Sequence, residues 1–306
     1  MFLPARRWQA QLSYQYGNAD DFFVGDQRDD SQAPVPGIPP HRIVSLINLD
    51  VLYGVSDRLS LDLTVPFAIG GAKVALASAD APAGYQVYDY RASGLGDVTL
   101  QAEYWLSDPA KPTRVTGSVG LGFKAPTGND NVEKDQPGLG NSPIDESAQL
   151  GTGGWEIILR AQGTAHLEGP LYAYASGYYG LTLEEHTGVL NFGVLRSVPD
   201  TYSGRIGAAY LLPWAGEFAL SLGGRINGVT VRDVIGGGDL YWRRPGYVVY
   251  VEPGLTWTIG DNMASLSVPI RAYANKLDSP LDVSMNQKIG ASFASYLLLA
   301  SYARRF

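Results

Sequence analysis

The chain contains no cysteine in 306 residues, which removes disulfides and thiolate metal sites from the outset. Histidine is almost as scarce. His41, His166 and His186 are the only ones, and no HExxH, nucleophile-elbow or Walker pattern surrounds them. No apolar run approaches the roughly 18 residues of a membrane-spanning helix. Charged residues make up only 17% of the chain and sum to −7, so there is no basic footprint for nucleic acid. Residues 1–10 lack the apolar core of a signal peptide. Either a leader has been removed and Met1 is foreign to the mature chain, or the chain is cytosolic; the first is the expectation.

What the chain has in excess is glycine (37), tyrosine (19) and tryptophan (6). Many turns and aromatic belts at a membrane interface both call for such a balance. Mean hydropathy close to zero is compatible with that, because barrel strands need only about 9–11 alternating residues. Residues 43–67 show the alternation most clearly. Ile47, Leu49, Val51 and Tyr53 alternate with Leu46, Asn48, Asp50 and Leu52. After a break at 54–58, Leu59, Leu61, Leu63, Val65 and Phe67 alternate with Ser60, Asp62, Thr64 and Pro66. Side chains on a strand point alternately to opposite faces, so this is a hairpin with one oily face and one carrying carboxylates and hydroxyls. A barrel standing in lipid needs that combination, apolar outside and polar inside.

The same rhythm predicts strands over 8–16, 43–53, 59–67, 97–106, 114–125, 155–165, 171–181, 202–212, 217–229, 247–259, 264–275 and 289–306. Pro66, Pro253 and Pro269 fall inside them, although proline prefers edges and bulges. The breaks near 55–57, 107–113, 166–170, 213–216 and 260–263 are short. Those over 17–41, 68–96, 126–154, 182–201, 230–246 and 276–288 are long and rich in Gly, Pro, Asp and Asn. The expected fold is therefore all-β: a single domain over 1–306, a transmembrane antiparallel up-and-down β-barrel of about twelve strands. Short turns and both termini would be periplasmic and the long loops extracellular. A soluble sandwich or propeller is the rival, but it predicts connections of similar length at both ends.

Four stretches, in order, resemble the outer-membrane family named for the MetA pathway of phenol degradation: YGVSDRLSLDLTVPF (53–67), SGLGDVTLQAEYWL (93–106), GFKAPTGN (122–129) and LGTGGWEIILRA (150–161). They are similar to that family's hairpin, its Gly-Leu-Gly-Asp strand start, its Pro-Thr-Gly loop and its Gly-Thr-Gly strand start. Beyond residue 161 only the strand rhythm agrees. The resemblance implies a barrel associated with uptake of small, often aromatic or apolar compounds.

Inward parity selects the candidate lumen residues: Asp50, Asp62, Glu103, Lys124, Glu156, Arg160, Tyr174, Arg205, Arg225, Glu252 and Arg271. Pairing Tyr53 with Leu59 sets Asp50 opposite Asp62, and pairing Ile259 with Ala264 sets Glu252 opposite Arg271. Leu212 against Phe218 places Arg205 opposite Arg225. Ala165 against Leu171 puts Arg160 beside Ser176 and turns Tyr172, Tyr174 and Tyr178 inward. Acids then gather on strands two to four and arginines on strands eight to eleven. The two arcs either brace a sealed lumen as a salt-bridge network or flank a water-filled conduit. Asp130, Glu133, Asp135, Asp145 and Glu146 make 126–154 an acidic loop, expected to be solvated rather than a Ca²⁺ site. Phe22, Phe23 and Val24 suit a first loop that folds inward as a constriction.

The functional expectation is an outer-membrane porin or transporter of a Gram-negative bacterium, passively admitting small, aromatic or apolar solutes with no cofactor and no metal. Its partners would be outer-membrane lipid and the solutes, with no nucleic acid and any protein partner unknown. The alternative is a sealed barrel serving as a binding or structural scaffold of an outer-membrane assembly. An outer-membrane hydrolase using His186 with Glu184, Glu185 or a loop Asp is the third reading, against which a solvated loop histidine is the commoner explanation. The chain is therefore read as non-enzymatic.

Overall fold

The computed structural model describes residues 3–78, 81–108, 111, 113–136, 140–191, 193–214, 217–235 and 240–306. Parts of the short breaks expected at 107–113 and 213–216, and of four long connections, lie outside the described residues.

Twelve antiparallel spans close into a barrel. They are β1 (Trp8–Ala19), β2 (His41–Gly54), β3 (Leu59–Ala77), β4 (Tyr85–Leu95, continued by Thr99–Trp105), β5 (Val115–Lys124) and β6 (Glu156–Glu168). The second half comprises β7 (Leu171–Thr182), β8 (Thr201–Leu211), β9 (Phe218–Val229), β10 (Gly246–Ile259), β11 (Asn262–Ser267, continued by Ile270–Lys276) and β12 (Tyr296–Arg305). Each span pairs with its sequence neighbours, and β1 pairs with β12 from Gln9↔Arg305 to Asn18↔Tyr296, which closes the ring; at the long-loop end Tyr85–Leu95 extends beyond it, paired with β3 alone. Closure pairs the strands of the ring with one another, the condition for crossing a bilayer with strands. Among the described residues no helix is long and apolar enough to cross a membrane.

The outer face is a belt of exposed large apolar residues. Leu12, Leu49, Leu100, Leu121, Ile206 and Leu222 all belong to it. Aromatic pairs border the belt at both ends: Trp8 and Tyr53 (centroids 4.5 Å apart) with Phe218 and Trp257 at the short-turn end, Tyr16 and Tyr296 (6.0 Å) at the other. Leu12, paired with Leu49, lies midway between Trp8 and Tyr16 along β1. Leu12→Arg should therefore destabilise the folded barrel by about 2–4 kcal/mol, read as a lowered midpoint in urea titrations in lipid vesicles. A cost below about 0.5 kcal/mol would mean that this face does not meet lipid.

Both strand interruptions sit beside a proline. Pro66 of β3 lies next to the 96–98 break in β4, where the Gly96 N–H donates to the Pro66 carbonyl (2.9 Å). Pro253 of β10 lies next to the 268–269 break in β11, where the Val268 N–H donates to its carbonyl (3.1 Å). A residue with no N–H can continue a central strand where its neighbour leaves the ladder. This reconciles the two prolines with their strands.

Two expectations on extent are corrected. Residues 68–96 do not form a loop: β3 runs on to Ala77 and pairs with Tyr85–Leu95, since Ala68, Ala72 and Val74 continue the inward parity with small side chains. The last strand begins at Tyr296, not at 289.

Candidate functional site

The long-loop end of the barrel is filled by its own connections. Phe23, from the first, packs with Val248, Tyr250, Ala274 and Leu297 on the inner wall, and the Asp21 carboxylate pairs with Arg271 of β11. The β5–β6 connection is folded in as well, which corrects the expectation of a solvated acidic loop. Its Ile144 and Ala148 are almost fully buried against Ala72, Val74 and Tyr90. A Cβ on Gly70 would come within 2.5 Å of the Ala148 backbone, so only glycine lets the connection lie so close to the wall.

Three of the stretches that carry the family resemblance meet at the root of this connection. Asp97, in the β4 break, accepts hydrogen bonds from the Gly128 N–H (3.0 Å), the Thr152 N–H (2.8 Å) and the Thr152 hydroxyl (2.9 Å). Thr127 donates to the Gly96 carbonyl, and a side chain on Gly128 or Gly151 would collide with the other's backbone. The Gly-Leu-Gly-Asp, Pro-Thr-Gly and Gly-Thr-Gly segments thus form one clasp that holds both ends of the inserted connection. Asp97→Ala strands several buried donors and should lower stability by about 2–3 kcal/mol, measurable by denaturant titration in vesicles.

Above the clasp is a cavity of about 230 Å³ lined by five of the long connections and by the extensions of β3 and β4. Its apolar and aromatic lining includes Phe22, Val74, Leu76, Tyr90, Trp242 and Ile289. A charged cluster borders it. Arg42 donates to Asp145 through Nε (3.1 Å) and Nη2 (2.8 Å) and to the Ser292 hydroxyl (2.7 Å). Arg244 stacks on Trp242 at 5.4 Å and approaches Asp145 (3.7 Å) and Glu146 (3.3 Å). Burial would raise the Asp145 carboxyl, but the Arg42 and Arg244 charges, with hydrogen bonds from Arg42 and Ser147, hold it well below the usual carboxylate range.

Beneath this cluster three further cavities follow one another, of about 400, 340 and 410 Å³. Arg244 lines both the outer cavity and the first inner one. Tyr178, Ser203 and Arg225 are common to the first and second, and Gln162, Ser176 and Arg205 to the second and third. The series runs along the inner face of β6–β10 from the long loops to the short turns.

The expected lumen residues fall into groups. Arg205 and Arg225 face each other on β8 and β9, and both bind Glu252, which is only 1% exposed: Arg205 Nη2 at 2.8 Å, Arg225 Nε at 2.7 Å. Lys124 and Glu156 are cross-strand neighbours and form an ion pair. Glu103 accepts from Ser118 (2.5 Å) and from Gln162. Tyr174 lies under Arg205, whose guanidinium sits 5.0 Å from the ring centroid.

Three expected neighbours are corrected. Tyr53 pairs with Leu61, so Asp50 lies opposite Thr64, which donates to it at 2.7 Å, and not opposite Asp62. Arg160 lies opposite Tyr178, while Gln162 meets Ser176. Ile259 pairs with Asn262, so Arg271 lies opposite Tyr250 and not opposite Glu252, which faces Gly223 on its other side; Arg271 binds Asp21 instead. All three are slips of two residues, which leave every side chain on its expected face.

The sequence reading missed Arg42, Asp97, Asp145, Trp242 and Arg244. Arg42 continues the even-numbered polar face of β2, and the Trp242-Arg243-Arg244 run is a cation–aromatic cluster in a loop; both were visible signals. His186 accepts from the Gly188 N–H and lies against Tyr241, while Glu184 accepts from the Trp155 N–H.

No protein-family model matches the chain, and no curated protein does. Solved structures do. The COG4313 outer membrane channel of Pseudomonas putida F1 superposes with a TM-score of 0.65 at 18% identity, over 99% of this chain and 97% of that one. The Pseudomonas putida toluene transporter TodX gives 0.45 at 11% identity, over 100% and 91%. The autotransporter NalP translocator domain of Neisseria meningitidis gives 0.49 at 12%, over 99% and 90%. At these identities the likeness concerns fold, and the fold is that of outer-membrane β-barrels.

Proposed function

We propose that residues 1–306 form one outer-membrane channel that passively admits small apolar or aromatic compounds, with short turns and termini periplasmic and long loops extracellular. The file of cavities carries this reading. An outer chamber walled by aromatic and aliphatic side chains leads, through Arg244, into polar chambers that continue to the opposite end. At about 230 Å³ the outer chamber is larger than the ~150 Å³ that suffices for benzene in an engineered apolar cavity. The resemblance of the four stretches to the MetA-pathway family supports the same function. The pore-lining roles of Asp50, Asp62, Glu103, Lys124, Glu156, Arg160, Tyr174, Arg205, Arg225, Glu252 and Arg271 belong to this proposal.

A sealed scaffold is the second reading, favoured by the charged cluster lying between the outer and inner chambers. Solute influx into proteoliposomes separates the two. A neutral single-ring compound such as benzyl alcohol should enter faster than into empty vesicles, and Trp242→Ala with Tyr90→Ala should slow it several-fold by removing the ring contacts. Verified insertion without any facilitated influx or ion current would establish the scaffold.

A further inference from the structure

The inner chambers carry charge of one sign. Arg244 and Arg225 line the first, Arg225, Arg205 and Arg160 the second, and Arg205 the third, while no acidic residue lines any of them. Glu252 neutralises Arg205 and Arg225 jointly from a fully buried position in the wall, so one carboxylate serves two guanidinium groups. Arg160 makes no ion pair among the described residues, and the Arg205 Nε–H has no hydrogen-bond partner. The acids of the facing arc are engaged: Asp50 by Gln11 and Thr64, Glu103 by Ser118 and Gln162. Asp62 forms no ion pair among the described residues, and its Oδ1 is buried without a hydrogen-bond partner. Alongside the arginines run aromatic faces, Tyr202 and Tyr250 in the first inner chamber, Tyr178 in the first two and Tyr174 in the third.

We infer that the conduit selects amphipathic monoanions, solutes joining an apolar ring to a carboxylate, with Arg244, Arg225, Arg160 and Arg205 holding the carboxylate in succession while the tyrosines cover the ring. This rests on the conduit reading above and names the substrate class for it. Guanidinium groups match carboxylates in geometry and charge, and successive sites along a pore let an anion leave each for the next. Arg244 is placed to begin the sequence. Its contacts to Asp145 (3.7 Å) and Glu146 (3.3 Å) are both longer than the 2.8 Å at which Arg42 holds Asp145, so Arg244 is the arginine placed to exchange them for an incoming carboxylate.

The test compares benzoate, benzyl alcohol and benzylamine, one ring with three charges, for influx into proteoliposomes at neutral pH. A salt-gradient reversal potential in planar bilayers accompanies it. Benzoate should exceed benzylamine by about tenfold, the ratio that ~1.4 kcal/mol of differential interaction gives, and the reversal potential should have the anion-selective sign. Arg160→Gln, which breaks no ion pair among the described residues, should lower the ratio of benzoate to benzyl alcohol influx. Entry of all three at similar rates, or a cation-selective potential, would overturn the inference and leave a channel standing. Loss of all three together with all current would overturn the channel itself.

Discussion

Glu252→Leu is expected to destabilise the folded barrel by about 3 kcal/mol, the largest effect of any single lumen substitution considered for this protein. Glu252 lies at 1% exposure and receives three hydrogen-bond or ion-pair contacts from two arginines that stand directly opposite each other on β8 and β9. Without it Arg205 and Arg225 repel each other at short range, and their guanidinium groups lose the acceptor that compensated their desolvation. Water in the lumen limits the loss, because the Arg205 side chain is 35% exposed, and this places the effect at the lower end of the usual 3–5 kcal/mol for such a broken pair. Glu252→Gln keeps shape and an acceptor oxygen and should lose less. Replacing all three residues together, with Met at 205 and 225, should recover much of the loss, because no unpaired charge remains. Urea titration of the protein refolded into vesicles, followed by tryptophan fluorescence, gives the difference. Equal midpoints for Glu252→Leu and the native chain would show that the triad contributes nothing to the wall.

That triad also shows how far sequence reasoning reached. Parity alone placed Arg205, Arg225 and Glu252 on one face and Arg205 opposite Arg225, because an inward-facing residue two positions away is still inward. It could not pair Glu252, because the expected Ile259–Ala264 register is two residues off the observed Ile259↔Asn262, which sets Tyr250 and not Glu252 opposite Arg271. The first short break gave the same kind of error. Nothing in Gly54-Val55-Ser56-Asp57-Arg58 distinguishes a Tyr53↔Leu59 register from the observed Tyr53↔Leu61, since both keep Leu49, Leu59, Leu61 and Leu63 outside. The charged cluster was harder to read for a different reason. Asp145 sits in an acidic, Gly- and Pro-containing segment with the composition of a solvated loop, and its partner Arg42 is 103 residues away. Local pattern carries no information about such a pair. The glycines of the clasp are the exception: Gly128 and Gly151 occur in motifs that were singled out, and the structure supplies the reason only glycine fits there.

Asp145→Ala should open the channel, raising single-channel conductance and benzyl alcohol influx by about tenfold or more, a change that ~1.4 kcal/mol would produce. Two effects oppose each other. The burial of Ile144 and Ala148 against the wall keeps the β5–β6 connection inside, contributing about 1.5–3 kcal/mol for the isoleucine. Removing Asp145 leaves Arg42 and Arg244, with side chains 8% and 19% exposed, beside an inserted connection that no longer compensates them both. An uncompensated buried charge costs about 3–5 kcal/mol, so charge outweighs packing and the connection should leave the lumen. The Asp97 clasp holds its two ends, so it swings out without unfolding the barrel. Gly70→Val provides an independent route to the same state, since its Cβ meets the Ala148 backbone at 2.5 Å and displaces the connection by contact and not by charge. Acid gives a third. The folded carboxyl of Asp145 lies below its unfolded value of about 3.9, so its contribution is complete above that pH and declines as pH falls further towards the folded value. Conductance of the native channel should therefore hold steady from about pH 7 to pH 5 and rise only below about pH 4, whereas Asp145→Ala should be open throughout. If both variants conduct as the native chain does, the inserted connection does not limit passage, and the restriction must lie at the arginine-lined chambers below.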